Sequence, residues 1–368
     1  MRWRIFGESF PLLEALVGDP DGRLMASGSV ARPRTGRKRF YRVDAETPGP
    51  ALFVKVFQVP AGWARIQSLF RPSKAARERQ IAEAVRDRGF EVALPIAVGE
   101  ERRLGALRRS LTVVPELEGR DLRALLAAPE TTATTRRSLV VEFAKFARRL
   151  HETGIDQDDF SPNNFLVESD GSFVLLDFER CRVGHRLGAR RWTLLAKLHR
   201  HDLSVSRTDR LRFLRAYTQG DRAARRDAWK KIERAFWRVR RHDARRAARA
   251  AFQVGRSLTR TGDIWTVRGR ESSPVRRLEL GDAARAAWIL SHQLERLSLP
   301  ALPPVRLGPG WLELEEPASN LPDNARPRAI AGARRRLDRY GSFHAEPAWA
   351  FDSQGAHLAD PTCFRLRF

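Results

Sequence analysis

The chain is poor in cysteine, poor in acid relative to base, and without a long apolar run. Each shortage excludes something. Cys181 and Cys363 are the only cysteines in 368 residues, too few for the disulfide framework of a small secreted domain. No stretch approaches the ~18 uninterrupted apolar residues of a membrane-crossing helix. The opening MRWRIFGESFPLLEALVGD has neither the apolar core nor the small-residue cleavage site of a signal peptide. A cytoplasmic, reducing location is the expectation. Acid is outnumbered, with 44 Asp and Glu against 68 Lys and Arg, a net charge of +24. A GC-rich coding bias would explain arginine in place of lysine but not the net excess. The charge favours an anionic partner: nucleic acid, an anionic membrane surface, or a phosphorylated or carboxylated substrate.

What is present is a globular chain, 42% hydrophobic and long enough for about two domains. Residues 23–58 read as strands, with the β-rich runs RKRFYRVDA and ALFVKVFQV separated by the Pro/Gly turn ETPGP. SKAARERQIAEAVRDR (73–88) reads as a helix with Ser73 as N-cap and Gly89 as its stop. VALPIAVG and SLTVVPELEG read as strands, DLRALLAA and RRSLVVEFAKFARRLHETG as helices, and SFVLLDFERCRV as a buried strand ending in an acid. Asp170–Gly171 fits a hairpin turn. From Ala189 to about Thr261 the chain reads as helical and very basic. This order is an α+β arrangement, a β-rich first lobe followed by a helical second lobe.

The loop GIDQDDFSPNNFLV (154–167) places Asp159 five residues before Asn164, with Asp177 beyond the next apolar run. Asp, Asn, Ser and Pro also build ordinary turns. In company with Asp177, however, the trio suits metal-assisted phosphoryl transfer: one acid orients the attacking hydroxyl, an amide and a second acid hold Mg2+. Lys55 lies inside the apolar strand LFVKVF and needs an anionic partner there. The helix at 73–88 offers Glu78, with Glu83 as second choice.

ALFVKVF, AARERQ, VVPELEGRDL, RRLHETGIDQDDFSPNNFLV and VLLDFER stand in the order and spacing of the protein-kinase-like superfamily. Within it, LHETGI, NNFLV, LLDFER and DRLRFLRAY resemble the bacterial lipopolysaccharide kinases, which phosphorylate Kdo or heptose sugars of the inner core. The resemblance runs over roughly residues 20–260. It implies a bilobal kinase-like fold and an ATP- and Mg2+-dependent phosphotransferase. Lys55 would hold the α- and β-phosphates, Glu78 would brace it, Asp159 would be the catalytic base, and Asn164 and Asp177 would bind Mg2+. Gly28 would belong to the glycine-rich loop, and Glu116, Leu117 and Glu118 to the hinge that meets the adenine. The departures are Gln157 where the pattern has histidine, Glu179 where it has glycine, a poor glycine-rich loop with only Gly28 and Gly36, and no Ala-Pro-Glu motif after Asp177. That absence, with Ser161 in place of the usual lysine, favours a glycan or small molecule over a protein substrate.

The implied function is phosphorylation of a sugar hydroxyl of the lipopolysaccharide inner core. The alternatives are a kinase for protein or another small molecule, and an inactive kinase-fold scaffold. The expected partner is an anionic lipid-linked glycan or other anionic substrate, with peripheral contact to inner-membrane lipid. No nucleic-acid module is present. The helix at 221–250 places Trp229, Ile232, Phe236 and Val239 on one face, which reads either as packing with a solvated basic face or as a surface for anionic lipid or glycan. His151, His199 and His201 lack metal-ligand spacing and read as structural. The resemblance implies a catalytic domain at 1–262, with lobes at about 1–117 and 118–262, and leaves an extension at 263–368. Weak echoes link 75–99 to 283–308, 147–154 to 334–341, and 170–183 to 354–366. They set Ala286 opposite Glu78 and Asp360 opposite Asp177, with Arg268 a poor stand-in for Lys55. The extension then reads as a shortened, pseudokinase-like repeat; an unrelated extension is the competing reading.

Overall fold

A computed structural model of the chain describes residues 1–27, 29–31, 38–44, 50–184, 186–198, 205–254, 258–270, 272–316, 325–352 and 355–366. Contacts divide it into two units, Met1–Ile232 and Glu233–Phe368.

The first unit opens with strand β1 (Arg2–Ile5), helices α1 (Pro11–Gly18) and α2 (Pro20–Ser27), and strands β2 (Ser29–Ala31), β3 (Lys38–Val43) and β4 (Leu52–Gln58). Helices α3 (Trp63–Gln67) and α4 (Lys74–Arg86) lead to β5 (Ala97–Arg103) and β6 (Ala106–Pro115). These strands form one antiparallel sheet in the order β1-β5-β6-β4-β3-β2. Alternation along β4 sorts its side chains. Leu52, Val54 and Val56 join a core with Leu12, Leu13, Leu16 and Leu24, while Phe57 packs with Ala75 and Ala76 of α4. Lys55 shares the parity of Phe57 and so falls on the α4 face. As expected, Ser73 caps α4 by accepting from Ala76 N–H. Residues 23–27, expected in a strand, instead lie in α2, where Leu24 is buried in the core.

The chain continues through β7 (Arg120–Asp121), α5 (Leu122–Ala127), α6 (Ala133–Glu152), β8 (Ile155–Gln157), a 3-10 turn (Pro162–Asn164), β9 (Phe165–Val167), β10 (Phe173–Leu175) and β11 (Cys181–Val183). β9 and β10 pair across a turn containing Gly171 at φ 86, the hairpin expected at Asp170–Gly171. Phe143 and Phe146 of α6 pack against Phe165 and Phe173, so the long helix anchors this loop region. Helices α7 (Arg190–Leu198), α8 (Arg207–Tyr217) and α9 (Arg222–Ala250) follow.

The division at Ile232/Glu233 lies inside α9, whereas the resemblance implied a boundary at 262/263. The helical run expected to continue to 261 stops at Ala250, because Leu258–Thr261 pairs as a strand. On α9 the buried positions are Ala228, Ala235, Phe236, Val239, Arg240, Asp243 and Ala244; Trp229, expected among them, is 49% exposed.

The second unit contains β12 (Leu258–Thr261), β13 (Ile264–Val267), β14 (Val275–Glu279), α10 (Ala284–Arg296), β15 (Pro304–Gly308) and β16 (Trp311–Glu315). Its sheet runs β12-β13-β15-β16-β14. After α11 (Arg326–Asp338) come β17 (Gly341–Phe343), β18 (Trp349–Asp352), β19 (Gly355–Leu358), a 3-10 turn (Pro361–Cys363) and β20 (Phe364–Leu366). Its core gathers Trp288, Leu307, Leu312 and Leu314.

His151 ends α6 in a structural role. It is 2% exposed, with Nδ1 2.8 Å from the Tyr217 hydroxyl and Nε2 without a partner among the described residues. Burial, reinforced by Arg191, lowers its pKa to about 3 from an ordinary 6.5. The folded state therefore binds the proton less readily than the unfolded state. The stabilisation is complete above pH 6.5 and is lost as pH falls toward 3, at about 1.4 kcal/mol per pH unit. We expect thermal melts between pH 7 and 4 to show this loss, and His151→Phe to flatten it.

Candidate active site

Lys55 leaves the α4 face of the sheet with 14% of its side chain exposed. Its ammonium donates to Glu78 Oε1 at 2.6 Å and to Asp177 Oδ1 at 2.8 Å. Strand β4, helix α4 and the segment after β10 thus converge on one cation. Thr112, directly opposite Lys55 on β6, donates to the second Glu78 oxygen at 3.3 Å. Glu83, the second choice for this role, instead pairs with Arg79 at 2.6 Å.

Burial would by itself discharge Lys55, but Glu78 and Asp177 outweigh it and hold the ammonium charged. Burial would likewise raise Asp177, yet Lys55 and Lys38 hold its carboxyl far below the usual range. For Glu78, burial prevails over the pull of Lys55 and moves the carboxyl upward. Asp177 is the ionised member aimed outward, and its backbone sits at φ 53, a sparsely populated conformation for a residue with a side chain.

Gln157 secures that conformation. It is 1% exposed, and its Nε2 donates to the carbonyls of Leu176 at 3.2 Å and Asp177 at 2.7 Å. The residue that broke the motif in the sequence is a polar strut between the loop and the acid. Asn164 Nδ2 donates to the Asp159 carbonyl at 2.8 Å, and the Asn164 carbonyl accepts from Leu176 N–H at 2.9 Å. These bonds tie the Asp159–Asn164 loop to the strand carrying Asp177. Asp159 itself is exposed and takes part in no ion pair among the described residues. Asp156 and Asp158 anchor α7: Arg190 Nε lies 3.1 Å from Asp156, its Nη2 pairs with Asp158, and Lys197 reaches Asp158 at 2.6 Å.

Glu116, Leu117 and Glu118 directly follow β6. Glu116 receives two bonds from Arg42, at 2.9 and 2.8 Å, and its N–H donates to Ala51 C=O at 2.7 Å. Gly119 lies at φ 136, where a Cβ would sit 2.6 Å from the Val167 carbonyl. Gly28 and Gly36 lie outside the described residues, as do His199 and His201.

The sequence reading did not include a second set of charges. Lys38 lies 3.5 Å from Asp177 and 2.9 Å from Glu179, and Lys74 reaches Glu179 at 2.7 Å. The available signal was parity: Lys38 and Phe40 share a strand face, and Phe40 is opposite Lys55. Carboxylate oxygens of Glu78, Asp177 and Glu179 all lie within 4.8 Å of one another. Oxygen donors of this kind, together with the Asn164 amide, are the hard ligands Mg2+ prefers.

Gln157→Leu should destabilise the protein by about 1–3 kcal/mol, since it leaves two buried carbonyls unpaired. Gln157→His should recover most of that loss. Urea unfolding of the three proteins checks both outcomes.

Residues 64–217 match the model of the lipopolysaccharide kinase (Kdo/WaaP) family. No curated protein matches the chain. Among solved structures it is similar to one described as "WaaP in complex with acyl carrier protein", with 21% sequence identity and a TM-score of 0.46 over 64% of this chain and 100% of that one. Over residues 64–217, less than half of its length, the chain is thus similar to the lipopolysaccharide kinase (Kdo/WaaP) family, a family of kinases.

Proposed function

We propose that the first unit is a bilobal kinase that transfers a phosphoryl group from ATP, with Mg2+, to a sugar hydroxyl of the lipopolysaccharide inner core. The observation that carries this reading is the Lys55 ammonium shared by Glu78 and Asp177, with the exposed Asp159 on a loop that Asn164 ties to the segment carrying Asp177. Lys55 holds the α- and β-phosphates and Glu78 fixes its position. Asp177 and Asn164 hold Mg2+, which neutralises charge on the phosphate oxygens when bound. Asp159 orients the sugar hydroxyl and accepts its proton as the new oxygen–phosphorus bond forms and the bond to ADP breaks. Residues 116–118 form the hinge to the adenine. Lys38 adds a cation beside Asp177 where negative charge accumulates.

We further propose that this unit works against an anionic lipid surface, where a lipid-linked glycan is found. No helix among the described residues is long and apolar enough to cross a membrane. Trp63 (69%), Ile66 (49%), Leu69 (46%) and Phe70 (84%) are nonetheless exposed in and just after α3, with Leu104 (96%) in the turn beside them. Arg102 joins the two segments by donating to the carbonyls of Ser68 and Gly105 at 3.1 and 3.0 Å. Residues 59–77 contain no acid and carry Arg65, Arg71, Lys74 and Arg77. Apolar and tryptophan side chains within a basic rim fit the headgroup boundary of an anionic bilayer. The patch lies between β4, which carries Lys55, and α4, which carries Glu78.

With purified core oligosaccharide and Mg·ATP, Asp159→Asn should lower kcat about 10²–10⁴-fold with a small change in KM. Mass spectrometry of the glycan should show a phosphate increment for the wild type. ATP turnover with no modified glycan would refute the substrate assignment. In flotation assays, Trp63→Ser/Phe70→Ser should lose most binding to phosphatidylglycerol vesicles while turning over soluble oligosaccharide normally. Unchanged flotation would refute the lipid surface.

A further inference from the structure

The second unit repeats the main-chain framework of the first at point after point. Ala93 N–H donates to Leu175 C=O at 3.1 Å, and Leu175 N–H to Glu91 C=O at 3.0 Å, around a parallel bridge between Val92 and Leu175. Leu302 N–H donates to Leu358 C=O at 3.0 Å, and Leu358 N–H to Pro300 C=O at 2.9 Å, around a parallel bridge between Ala301 and Leu358. Leu176 N–H donates to Asn164 C=O, and Ala359 N–H to Ala348 C=O, both at 2.9 Å. Asp158 N–H donates to Arg180 C=O at 3.1 Å, and His344 N–H to Cys363 C=O at 3.0 Å. The hairpin β9–β10 matches β18–β19, and the pair β8–β11 matches β17–β20. In the sheets, β4-β6-β5 matches β14-β16-β15, and each unit has a 13-residue helix, α4 or α10, between the first and last of these strands.

This correspondence has a register, which identifies the counterpart of each site residue. Lys55 is opposite Thr112, which is opposite Val98; Leu278 is opposite Leu312, which is opposite Leu307. Val98 follows the bridge residue Val92 by six positions, as Leu307 follows Ala301. Leu278 therefore takes the place of Lys55. Counting back nine residues from the C-caps Asp87 and Leu297 sets Trp288 against Glu78. Ala345 and Ala348 replace Asp159 and Asn164, and Asp360 replaces Asp177. The sequence echoes had suggested Arg268 for Lys55 and Ala286 for Glu78. The hydrogen-bond register corrects both, because eye alignment cannot count across the loops that shortened.

We infer that residues 233–368 hold a second kinase core whose nucleotide site has been replaced by apolar packing, so the chain carries one nucleotide site, in the first unit. The inference rests on the proposed function for the term nucleotide site; the repeat itself rests on the register. The replacement is consistent across the set. Trp288 is fully buried, donates to Ala251 C=O at 2.7 Å, and belongs to the cluster against which Leu278 packs. Leu312, in the place of Thr112, is also fully buried. Asp360 keeps its residue type but not its availability. Its Oδ1 accepts from Thr362 N–H at 2.8 Å and Thr362 Oγ1 at 2.6 Å, capping the 3-10 turn, and its φ is −125 where Asp177 has 53. A phosphate entering this copy would meet leucine and tryptophan instead of an ammonium.

Hydrogen exchange of the full chain with and without Mg·ADP tests the nucleotide claim. Slower exchange should appear in 52–58, 74–86 and 173–183 and be absent from 275–279, 284–296 and 341–366. Protection in the latter set would overturn the inference. A double-mutant cycle tests the repeat without nucleotide. Leu278→Lys and Trp288→Glu should each lower the melting temperature, and the double variant should lose clearly less than the two losses added, because the register lets the new charges pair. Simple additivity would overturn the register. If Mg·ADP protects no segment, the proposed function of the first unit fails, while the cycle still decides whether the second unit is its copy.

Discussion

One buried ammonium organises the first unit. Lys55 donates to two carboxylate partners, Glu78 on a helix and Asp177 on a loop, at 2.6 and 2.8 Å. Each of these charges would be costly to bury alone, and removing one partner of such a pair costs on the order of 3–5 kcal/mol. The sheet, α4 and the segment after β10 are therefore constrained to meet at one place. That electrostatic constraint, rather than shape alone, puts three residues distant in sequence into a common site. It also leaves Asp177 ionised and partly accessible, the state in which a carboxylate can serve as a metal ligand.

Around this centre the supports are neutral or outward-facing. Gln157 holds the carbonyl side of the strained Asp177 residue, and Asn164 ties the Asp159 loop to the same segment. Asp156 and Asp158 pin α7 through Arg190 and Lys197. Asp159 remains exposed and outside these ion pairs. The loop thus spends most of its polar groups on its own geometry and leaves one carboxylate available. The second unit reaches a comparable framework without the charge cluster, using Trp288, Leu278 and Leu312 at the corresponding register. The same backbone can be held together by an ion-pair network or by apolar burial, and only the former has chemistry to offer.

Lys55, Glu78, Asp159, Asn164 and Asp177 were legible because each has a local signature: a lysine in an apolar strand, an acid on the following helix, an acid and amide at fixed spacing, an acid after a strand. The strands β3, β4 and β6 and the helices α4 and α6 were legible from their periods. Lys38, Lys74 and Glu179 were not, since their meeting depends on strand pairing and on where α4 starts. Gln157 looked like a defect because a motif records residue types, whereas its role is two hydrogen bonds donated by one amide nitrogen to the carbonyls of Leu176 and Asp177. Trp229 is exposed although Phe236 and Val239 of the same expected face are buried, because periodicity gives an angle but not how far along the helix that face is covered.

By itself, the sequence determined the period and order of the elements, the excess of base, and the spacing of the reactive groups, all of which are properties of neighbours along the chain. Tertiary structure decided which charges neutralise one another, which carboxylate stays available, and which residue in the second unit occupies each site position. Those questions turn on register and burial, and both come from contacts between segments tens of residues apart, where spacing along the chain has no influence on distance in space.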